Sequence, residues 1–358
     1  MGAKRQRKRL QDGTGHSVRL LDVAREAEVS TATVSRSLND PGKVRPDLAE
    51  RVHAAIRRLG YVPHGAARAL ASHRSQTIGA VVPTLDNAIF ARGIQALQQR
   101  LSEDGYTLLL AMSEYDLARE VFQVGKLIER GIDGLMLIGE AHDPALYAML
   151  DAKGLPYVNT WVFREASRHP CIGFRNIDAA HRIASYLIDI GHRDIAMIAG
   201  VSRHNDRAAD RIVGVRQAMA ERGLPFPDAL LVERRYDVGE GRRALRQLLG
   251  RPTPPTAVIC GNDVIAFGAL FEARTLGVQV PHDLSIVGFD DLDLASQVDP
   301  PLTTMHVPSV RMGKGAAEYL LARLAGEKPS NATELEASLI IRGTTAPPRP
   351  GLPARRPQ

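Results

Sequence analysis

The nine residues TATVSRSLN, Thr31–Asn39, carry side chains of the types that read the edges of DNA bases. Val34 and Leu38 lie four residues apart, which is the spacing of a buried helix face. The opposite face then presents four side chains: Thr31, Ala32, Ser35 and Arg36. A helix fits the DNA major groove when its outer side chains are short or rich in donors. Arg36 offers two donors to guanine, and Ala32 can pack on a thymine methyl. The segment therefore predicts a DNA-recognition helix.

Two further short helices flank this segment in the arrangement of a helix-turn-helix. Before it, apolar residues recur at helical spacing from Leu21 to Ala27, and Ser30 is a good N-cap for the helix that follows. After it, Pro46 opens a third helix and Gly60 is placed to end it. A generic three-helix bundle without a role in DNA binding is the alternative interpretation.

Positive charge is concentrated in the first fifth of the 358-residue chain. Residues 1–75 hold 15 Lys and Arg against 7 Asp and Glu, whereas the remainder holds 31 against 33. A short basic segment on a nearly neutral body is typical of nucleic-acid binding. Five of the basic residues lie among the first nine, so a disordered basic tail over residues 1–17 accounts for part of the excess.

Composition and motifs argue against several other classes of protein. No apolar run approaches the ~18 residues of a membrane span, and the basic N-terminus lacks the apolar stretch of a secretory signal. Cys171 and Cys260 cannot form a disulfide framework or a four-cysteine zinc site. No glycine-rich nucleotide motif follows a strand. We therefore expect a cytoplasmic protein with no membrane partner, no metal and no cofactor.

The N-terminal segment resembles the headpiece of lactose-repressor (LacI) family transcription regulators. The resemblance is carried by LLDVAREAEVSTATVSRSLND and VRPDLAERVHAAIRRLGYVPHGAARALA, with the core D-V-A-x-x-A-x-V-S-x-x-T-V-S-R matched from Asp22 to Arg36. It implies that three residues read bases: Thr31, Ala32 and Arg36. It implies that four more contact phosphates: Ser30, Thr33, Ser35 and Asn39.

Three headpiece residues depart from the family pattern. Arg19 stands where the family usually has a Thr cap, so that Ser17 is an alternative cap. Glu28 replaces a turn glycine, which indicates a turn that tolerates a side chain, and Arg45 replaces a serine. None of the three occupies a base-reading position.

Residues 64–75 resemble the family's hinge helix, which becomes ordered on operator DNA and enters the minor groove as a symmetric pair. The resemblance makes Leu70 the wedge that opens the central base step, with Arg68 beside it. An apolar wedge is physically sensible, because the kinked duplex makes extra contacts that offset the cost of unstacking. An ordinary linker in which Leu70 merely packs is the alternative.

From Thr77 onward, short apolar runs alternate with amphipathic helices, which predicts an α/β fold with parallel sheets covered by helices on both faces. Seven runs are interpreted as strands buried on both faces: TIGAVVP, YTLLLAM, GLMLIG, LPYVNT, IAMIAG, TAVICG and LSIVGF. The helices between them include ARGIQALQQRLSEDG, AREVFQVGKLIERG, AAHRIASYLIDIGH and DVIAFGALFEARTLG. The residue count suits two doubly wound subdomains with a ligand between the carboxyl ends of their strands.

The family resemblance extends over this body, as in LIERGIDGLMLIG, HDLSIVGFDDLDLA and PPLTTMHVPSVRMGKGAAEYLL. It implies a small all-α helix-turn-helix headpiece and a periplasmic-binding-protein-like core of two doubly wound parallel-sheet subdomains, between which the chain crosses three times. The expected boundaries are a headpiece over 18–63, a hinge over 64–75, a core over 76–345 and a disordered tail over 346–358. Within the core, the N-subdomain takes about 76–174 and 307–336, and the C-subdomain about 175–306 and 337–345. Because the tail lacks the leucine heptads of a tetramerising zipper, we expect a homodimer.

Polar residues follow two of the predicted strands at the ends where such folds bind ligands. Asp290 follows LSIVGF, and Asn262 with Asp263 follows TAVIC. Asp290 and Asn262 are candidate effector contacts. For Asp263 a helix cap is the favoured interpretation, and a ligand contact is the alternative.

The resemblance adds further candidates to this pocket. Arg211 matches a family arginine that donates to effector hydroxyls or carboxylates, and Tyr236 matches an aromatic wall. Phe90 and Trp161 are the counterparts across the cleft, although Trp161 also fits a core position. Four residues could add positive charge around the pocket: Arg164, Arg175, His204 and Arg207. Because the family commonly has Asp where Arg175 stands, we expect an anionic effector such as a sugar acid or another carboxylate, with a neutral sugar as the other candidate.

These observations predict a transcriptional regulator, specifically a repressor, that binds a palindromic double-stranded operator as a dimer and is switched by a small-molecule effector. A solute-binding protein without a DNA role is the alternative, but the basic headpiece and the missing signal sequence oppose it. An enzyme using the carboxylates of GFDDLD, or His192 as a general base, is a third possibility. No nucleophile–base pair or metal-ligand spacing supports it.

Overall fold

The computed structural model describes residues 18–39, 41–62 and 74–349. The chain divides into two compact units at the bond between Ser75 and Gln76. The predicted basic tail, the hinge candidates Arg68 and Leu70, and the alternative cap Ser17 lie outside the described residues.

The headpiece contains the three predicted helices. They are α1 (Leu20–Glu26), α2 (Thr31–Asn39) and α3 (Pro46–Leu59), with a short 3-10 turn at Pro41–Lys43. Their buried faces meet around Val23, Val34 and Val52, none of which is exposed to solvent. The helical spacing of these apolar residues therefore forms one small core, as the sequence predicts.

The ends of the headpiece helices follow the capping pattern of the sequence. The backbone N–H of Thr33 donates to Oγ of Ser30 at 3.1 Å, so Ser30 caps α2. Gly60 ends α3 in the left-handed conformation with a φ of 62°. At the start of α1, where the family has a Thr cap, the Asp22 carboxylate accepts the backbone N–H of Arg19 at 2.8 Å.

The turn between α1 and α2 accommodates Glu28 in place of glycine. Glu28 has a φ of 51°, in the left-handed region that disfavours residues with a Cβ. Arg51 on α3 holds this turn, since its guanidinium donates to the Ala27 carbonyl at 2.6 Å and to the Glu28 carboxylate at 3.0 Å. The turn thus tolerates its side chain, as predicted, and a contact from the third helix supports it.

The core contains two six-stranded sheets. The first sheet uses β1 (Thr77–Val82), β2 (Thr107–Met112), β3 (Gly134–Ile138), β4 (Tyr157–Thr160), β5 (Cys171–Gly173) and β11 (Ala332–Glu334). The second uses β6 (Ile195–Gly200), β7 (Leu231–Arg234), β8 (Ala257–Cys260), β9 (Ser285–Asp290), β10 (Thr303–His306) and β12 (Ser338–Ile340). Their orders are β11-β5-β4-β3-β1-β2 and β12-β10-β9-β8-β6-β7. All pairings are parallel except β10 with β12.

Helices cover both sheets. They are α4 (Ala88–Glu103), α5 (Leu117–Glu129), α6 (Pro144–Lys153), α7 (Asn176–Asp189), α8 (Asp206–Glu221), α9 (Val238–Leu249), α10 (Asp263–Thr275) and α11 (Ser309–Leu324). Short 3-10 turns lie at Asp228–Leu230 and Asp293–Ser296. Within residues 74–349, the chain crosses from one sheet to the other three times: after β5, after β10 and after β11. Two doubly wound subdomains are thereby formed, and loops at the carboxyl ends of their parallel strands are available to a ligand.

One predicted strand differs from the expectation of burial on both faces. In β2 every residue is exposed or half-buried, and Leu110 and Met112 are among the exposed large apolar side chains. The prediction was wrong here because β2 is an edge strand that pairs with β1 alone, whereas the interior strands β3 and β8 are fully buried. An apolar run of this length does not distinguish an edge from the centre of a sheet.

The predicted disordered tail begins too early. Ala346 is held by Ser285 and His192: its backbone N–H donates to Oγ of Ser285 at 3.1 Å, and its carbonyl accepts from Nε2 of His192 at 3.0 Å. Arg349 pairs with Asp283 at 3.1 Å. Residues 346–349 therefore pack on the second subdomain, because these specific polar contacts offset a composition that is otherwise typical of disorder. Residues 350–358 lie outside the described part of the chain.

Candidate functional sites

The outer face of α2 presents the side chains predicted to read bases. Thr31, Ala32 and Arg36 are exposed, while Val34 on the opposite side is completely buried. Among the described residues, no carboxylate pairs with Arg36, so its guanidinium is available to a ligand in the groove. The helix therefore has the composition and exposure that base reading requires.

The predicted phosphate contacts surround this face. Ser30 is exposed and shares a hydrogen bond of 2.9 Å between its Oγ and that of Thr33, which is half-buried. Ser35 is half-buried on α2, and Asn39 is the last residue of that helix. The four candidate phosphate contacts thus lie on α2 or directly before it. Arg68 and Leu70, also predicted to contact DNA, lie outside the described residues.

In the core, all seven predicted effector residues line one small cavity between the two subdomains. The predicted members of its lining are Phe90, Trp161, Arg207, Arg211, Tyr236, Asn262 and Asp290. Phe90 lies on α4 and Trp161 follows β4, so the first subdomain supplies the aromatic side. Arg211 lies on α8 and Asp290 ends β9, so the second supplies the charged side.

Arg211 is held rigidly at the cavity. Its Nε donates to Oδ1 of Asn176 at 3.0 Å and its Nη1 to the Gly261 carbonyl at 2.7 Å. The guanidinium lies 3.6 Å from the centroid of the Phe289 ring, a cation–π contact. Burial lowers the pKa of Arg211, which is 6% exposed. A fixed planar donor at this position can recognise a hydroxyl or a carboxylate through its remaining N–H groups.

Three buried polar atoms at the cavity have no hydrogen-bond partner among the described residues. They are Nε1 of Trp161, Nδ2 of Asn262 and Oδ2 of Asp290. Burial raises the pKa of the Asp290 carboxyl well above its usual value, and Arg211 opposes this shift. Because buried polar groups in native proteins almost always have partners, two donors and one acceptor without any are the complement of a polar ligand.

Aromatic rings form the walls between these polar groups. Phe90 and Trp161 meet edge to face with centroids 5.4 Å apart, and Tyr115 lies 6.4 Å from Tyr236. Trp161 is 1% exposed, so it satisfies both interpretations of the sequence: it belongs to the core and it lines the cavity. Flat apolar walls with a few convergent polar groups are characteristic of small-molecule sites.

The positive charge expected around the cavity is mostly neutralised or directed elsewhere. Arg175 pairs with Glu334 at 3.0 Å and stacks on Phe163, so it does not line the cavity. Arg164 pairs with Asp210 at 2.8 Å and is also absent from the lining. The expectation that Arg175 marks an anion site was wrong, because an acidic partner distant in sequence holds its side chain at the surface.

The other two basic candidates lie near the cavity. Arg207 lines it, but its Nη1 donates to its neighbour Asp206 at 2.7 Å and to the Ile138 carbonyl at 3.0 Å. His204 lines an adjacent small cavity, which shares Tyr115 and Arg207 with the first. Of the four basic candidates, only Arg207 therefore lines the main cavity, and its guanidinium is paired with Asp206.

Asp263 neither caps a helix through its side chain nor lines the cavity. Oδ1 of Asn262 caps α10 by accepting the backbone N–H of Ile265 at 2.9 Å. The Asp263 carboxylate instead accepts from Oγ1 of Thr304 at 2.5 Å and from the backbone N–H of Leu292 at 2.7 Å. Burial raises its pKa to about 7. The favoured interpretation of Asp263 as the helix cap was therefore wrong: its neighbour Asn262 is the cap, and the Asp263 carboxylate links α10 to β10.

Sequence reasoning missed four residues of the cavity lining: Asn87, Ile89, Tyr115 and Asn205. Asn87 caps α4 and Asn205 caps α8, and each follows the carboxyl end of a parallel strand. The rule that identified Asn262, an asparagine between a buried strand and the next helix, applies equally to these two positions. Tyr115 has no comparable signal.

The catalytic candidates singled out from the sequence, His192 and the carboxylates of GFDDLD, make structural contacts. His192 is buried, with its Nδ1 at 2.9 Å from Oγ1 of Thr256 and its Nε2 at 3.1 Å from Oγ of Ser285. It lies far along the chain from the acidic run GFDDLD. Asp291 of that run is occupied by Arg342 and His306. In the same residues, no group of three or more His, Cys, Asp or Glu side chains could hold a metal, and no helix is long and apolar enough to cross a membrane.

Comparisons with known proteins agree with this geometry. A model of the lacI family of bacterial regulatory proteins matches residues 19–64, and a model of a periplasmic binding protein-like domain matches residues 184–345. The transcriptional repressor CytR of Escherichia coli K12 is 35% identical over 326 residues, which cover 90% of this chain and 95% of CytR. The chain belongs to the LacI family.

Other members of the LacI family match over a similar length. The repressor PurR of Shigella sonnei is 33% identical over 328 residues, 91% of this chain and 96% of PurR. The lac repressor dimer bound to operator and the anti-inducer ONPF matches with a TM-score of 0.82 and 28% identity, over 92% of this chain and 99% of that chain. This LacI-family protein is thus a DNA-binding transcriptional regulator rather than an enzyme or a solute-binding protein without a DNA role.

Proposed function

We propose that the effector is a neutral, polyhydroxylated ring such as a sugar, bound between the two subdomains by the seven predicted cavity residues. The observation that carries this proposal is the set of unpaired buried atoms: two donors, on Trp161 and Asn262, and one acceptor on Asp290. Hydroxyl groups both donate and accept, so they can pair with all three atoms whether the Asp290 carboxyl is ionised or protonated, whereas a ligand carboxylate can pair with Asp290 only when that carboxyl is protonated. Aromatic walls cover the apolar faces of such a ring.

A thermal-shift screen tests the proposed ligand class. The purified protein is melted with neutral mono- and disaccharides and with the matching sugar acids, each sugar acid serving as the charged control for its parent. A ligand that binds the folded state raises the melting temperature by mass action. We expect the neutral compounds to give the larger shifts. Shifts with the acids alone would instead restore the anionic effector expected from the sequence.

We assign DNA recognition to α2. Thr31, Ala32 and Arg36 read base edges in the major groove, and four neighbours hold the phosphates: Ser30, Thr33, Ser35 and Asn39. In the dimer, two copies of α2 read the two halves of a palindromic operator, because a twofold protein imposes its symmetry on its site. The hinge residues Arg68 and Leu70 enter the minor groove at the centre of that operator, where a pyrimidine–purine step kinks most easily.

Replacing Arg36 by alanine tests the assignment of α2. The change should weaken operator binding by about 1–3 kcal/mol and relax base preference at one position of each half-site, because a bidentate contact to guanine is lost. Fluorescence anisotropy on operator, on singly substituted operators and on random duplex measures both effects. Arg57→Ala is the control, since it removes an exposed arginine from α3. Equal losses of Arg36→Ala on operator and on random DNA would make Arg36 a phosphate contact.

The switch follows from the position of the cavity. Contacts come from both subdomains, so a bound effector favours one angle between them. The two sheets are joined by the crossing segments after β5, β10 and β11, and the chain enters β1 from the hinge. Ligand binding and DNA binding are therefore coupled, and the coupling is reciprocal. An effector changes the equilibrium between the conformation that binds operator and the one that does not only if its affinities for the two conformations differ.

We place this regulator in the cytoplasm, where its operator is accessible.

A further inference from the structure

Asn176 lies behind the effector cavity, at the first crossing between the subdomains. It is the first residue of α7, three positions after β5 ends, and it is 2% exposed. It does not line the cavity, and the sequence analysis did not identify it. Its side chain nevertheless contacts a residue on each side of the cavity.

The amide of Asn176 makes one bond with each of two cavity residues. Oδ1 accepts from Nε of Arg211 at 3.0 Å, and Nδ2 donates to the Trp161 carbonyl at 3.0 Å. Arg211 belongs to the second subdomain and Trp161 to the first. A primary amide is suited to this position, because it combines an acceptor and a donor on one rigid plane. A carboxylate would retain only the acceptor, and an aliphatic side chain would retain neither.

Trp161 needs support at its backbone. Its φ is 60°, in the left-handed region that is unfavourable for a residue with a Cβ. Gly93 on α4 leaves space for the indole, since a Cβ there would overlap its six-membered ring. The bond from Asn176 to the Trp161 carbonyl helps to hold the residue in this conformation. The orientation of the aromatic wall therefore depends on an amide that also fixes the arginine.

We propose that Asn176 is a positioning residue that links the effector arginine to the tryptophan wall and to the subdomain crossing. A ligand that moves the Arg211 guanidinium then moves Asn176, and through it the Trp161 carbonyl and the start of α7. The inference rests on the proposed function only in treating Arg211 as an effector contact. The link between Asn176 and Trp161 is measurable without any effector.

Trp161 is the only tryptophan of the chain, so its fluorescence reports this link directly. The full-length protein is compared with Asn176→Ala, which removes both bonds, and Asn176→Asp, which keeps the acceptor for Arg211. Emission wavelength and quenching by acrylamide are measured with the thermal melt of each variant. We expect a red-shifted emission and quenching increased several-fold in Asn176→Ala. In Asn176→Asp we expect a similar change with little loss of melting temperature, because an acidic residue favours the first turn of a helix.

Asp178→Asn is the matched control, since it changes the charge of the same helical turn at an exposed position. It should leave the emission and quenching of Trp161 at wild-type values. If Asn176 serves only to begin α7, its replacement lowers the melting temperature while the signals of Trp161 stay unchanged, and that outcome overturns the proposal. Should Asn176→Ala show no cooperative melt, Asn176→Ser replaces it, because a hydroxyl is too short to reach both partners.

Failure of the neutral-sugar screen does not affect this measurement. A changed Trp161 signal together with a screen that finds only carboxylates would retain the role of Asn176 and reject the ligand class. An unchanged Trp161 signal together with a neutral sugar that binds would reject the role of Asn176 and retain the ligand class. The two proposals thus fail separately.

Discussion

Replacing Arg211 by methionine should abolish the response to effector. Methionine fills much of the same space but removes every donor of the guanidinium, including those aimed at the ligand. Removing the guanidinium also leaves Oδ1 of Asn176 and the Gly261 carbonyl without their donor, so the melting temperature should fall, and the loss of effector response should persist at temperatures where the variant is folded. Operator binding is measured by anisotropy, with and without the effector found in the screen, and the melting temperature is followed in parallel.

The direction of the change identifies the type of effector. If the effector is an inducer, Arg211→Met should bind operator as the wild type does and fail to release it. If it is a corepressor, the variant should bind operator weakly under all conditions. Arg175→Met is the matched control, because Arg175 pairs with Glu334 outside the cavity. A response of Arg211→Met with the wild-type midpoint and amplitude would show that the cavity is not the effector site.

Replacing Asp263 by asparagine should remove a large part of the pH dependence of stability. The folded-state pKa of Asp263 is about 7, above the ordinary value of 3.8 for a free aspartate. Between these values the folded protein holds a proton that the unfolded chain has released. Stability from this group is therefore complete at low pH and is lost as the pH rises through about 7. Asparagine mimics the protonated carboxyl and does not titrate.

The measurement is the free energy of unfolding in urea, for both proteins, at several pH values. The free energy of unfolding of Asp263→Asn minus that of the wild type should increase by on the order of 4 kcal/mol from about pH 4 to about pH 8, because each pKa unit corresponds to about 1.4 kcal/mol. Asp291→Asn is a comparison at a neighbouring carboxylate that is paired with Arg342. An advantage of Asp263→Asn that is independent of pH would mean that the carboxyl is ionised throughout.

Local periodicity was sufficient to predict the headpiece. The spacing of Val34 and Leu38 assigned the buried side of α2, and Ser30 and Gly60 marked helix ends, since caps depend on residues within one turn. The effector cavity was predicted differently: Asn262 and Asp290 came from their place after buried strands, and Arg211 and Tyr236 from resemblance to the family. All of these lie on the cavity in the structure.

What the sequence did not predict depends on partners that are distant along the chain. Glu334 holds Arg175 at the surface from 159 residues away, and Thr304 binds Asp263 from 41 residues away. No local pattern contains such pairs. Exposure of the edge strand β2 depends on sheet order, and the strands of three or four residues, such as β5 and β11, are too short to show any periodicity.

The three crossings between subdomains have a consequence for synthesis. The first sheet receives its last strand, β11, about 250 residues after β1, and the second sheet receives β12 from the same late segment. At the usual ~5–20 residues per second, the ribosome needs on the order of tens of seconds after the synthesis of β1 to supply the last strand of either sheet. The headpiece consists of neighbouring helices with local contacts, which form quickly. In a growing chain, the unit that reads DNA is therefore formed well before the core that binds an effector. A stop codon before β11 would remove strands from both subdomains at once.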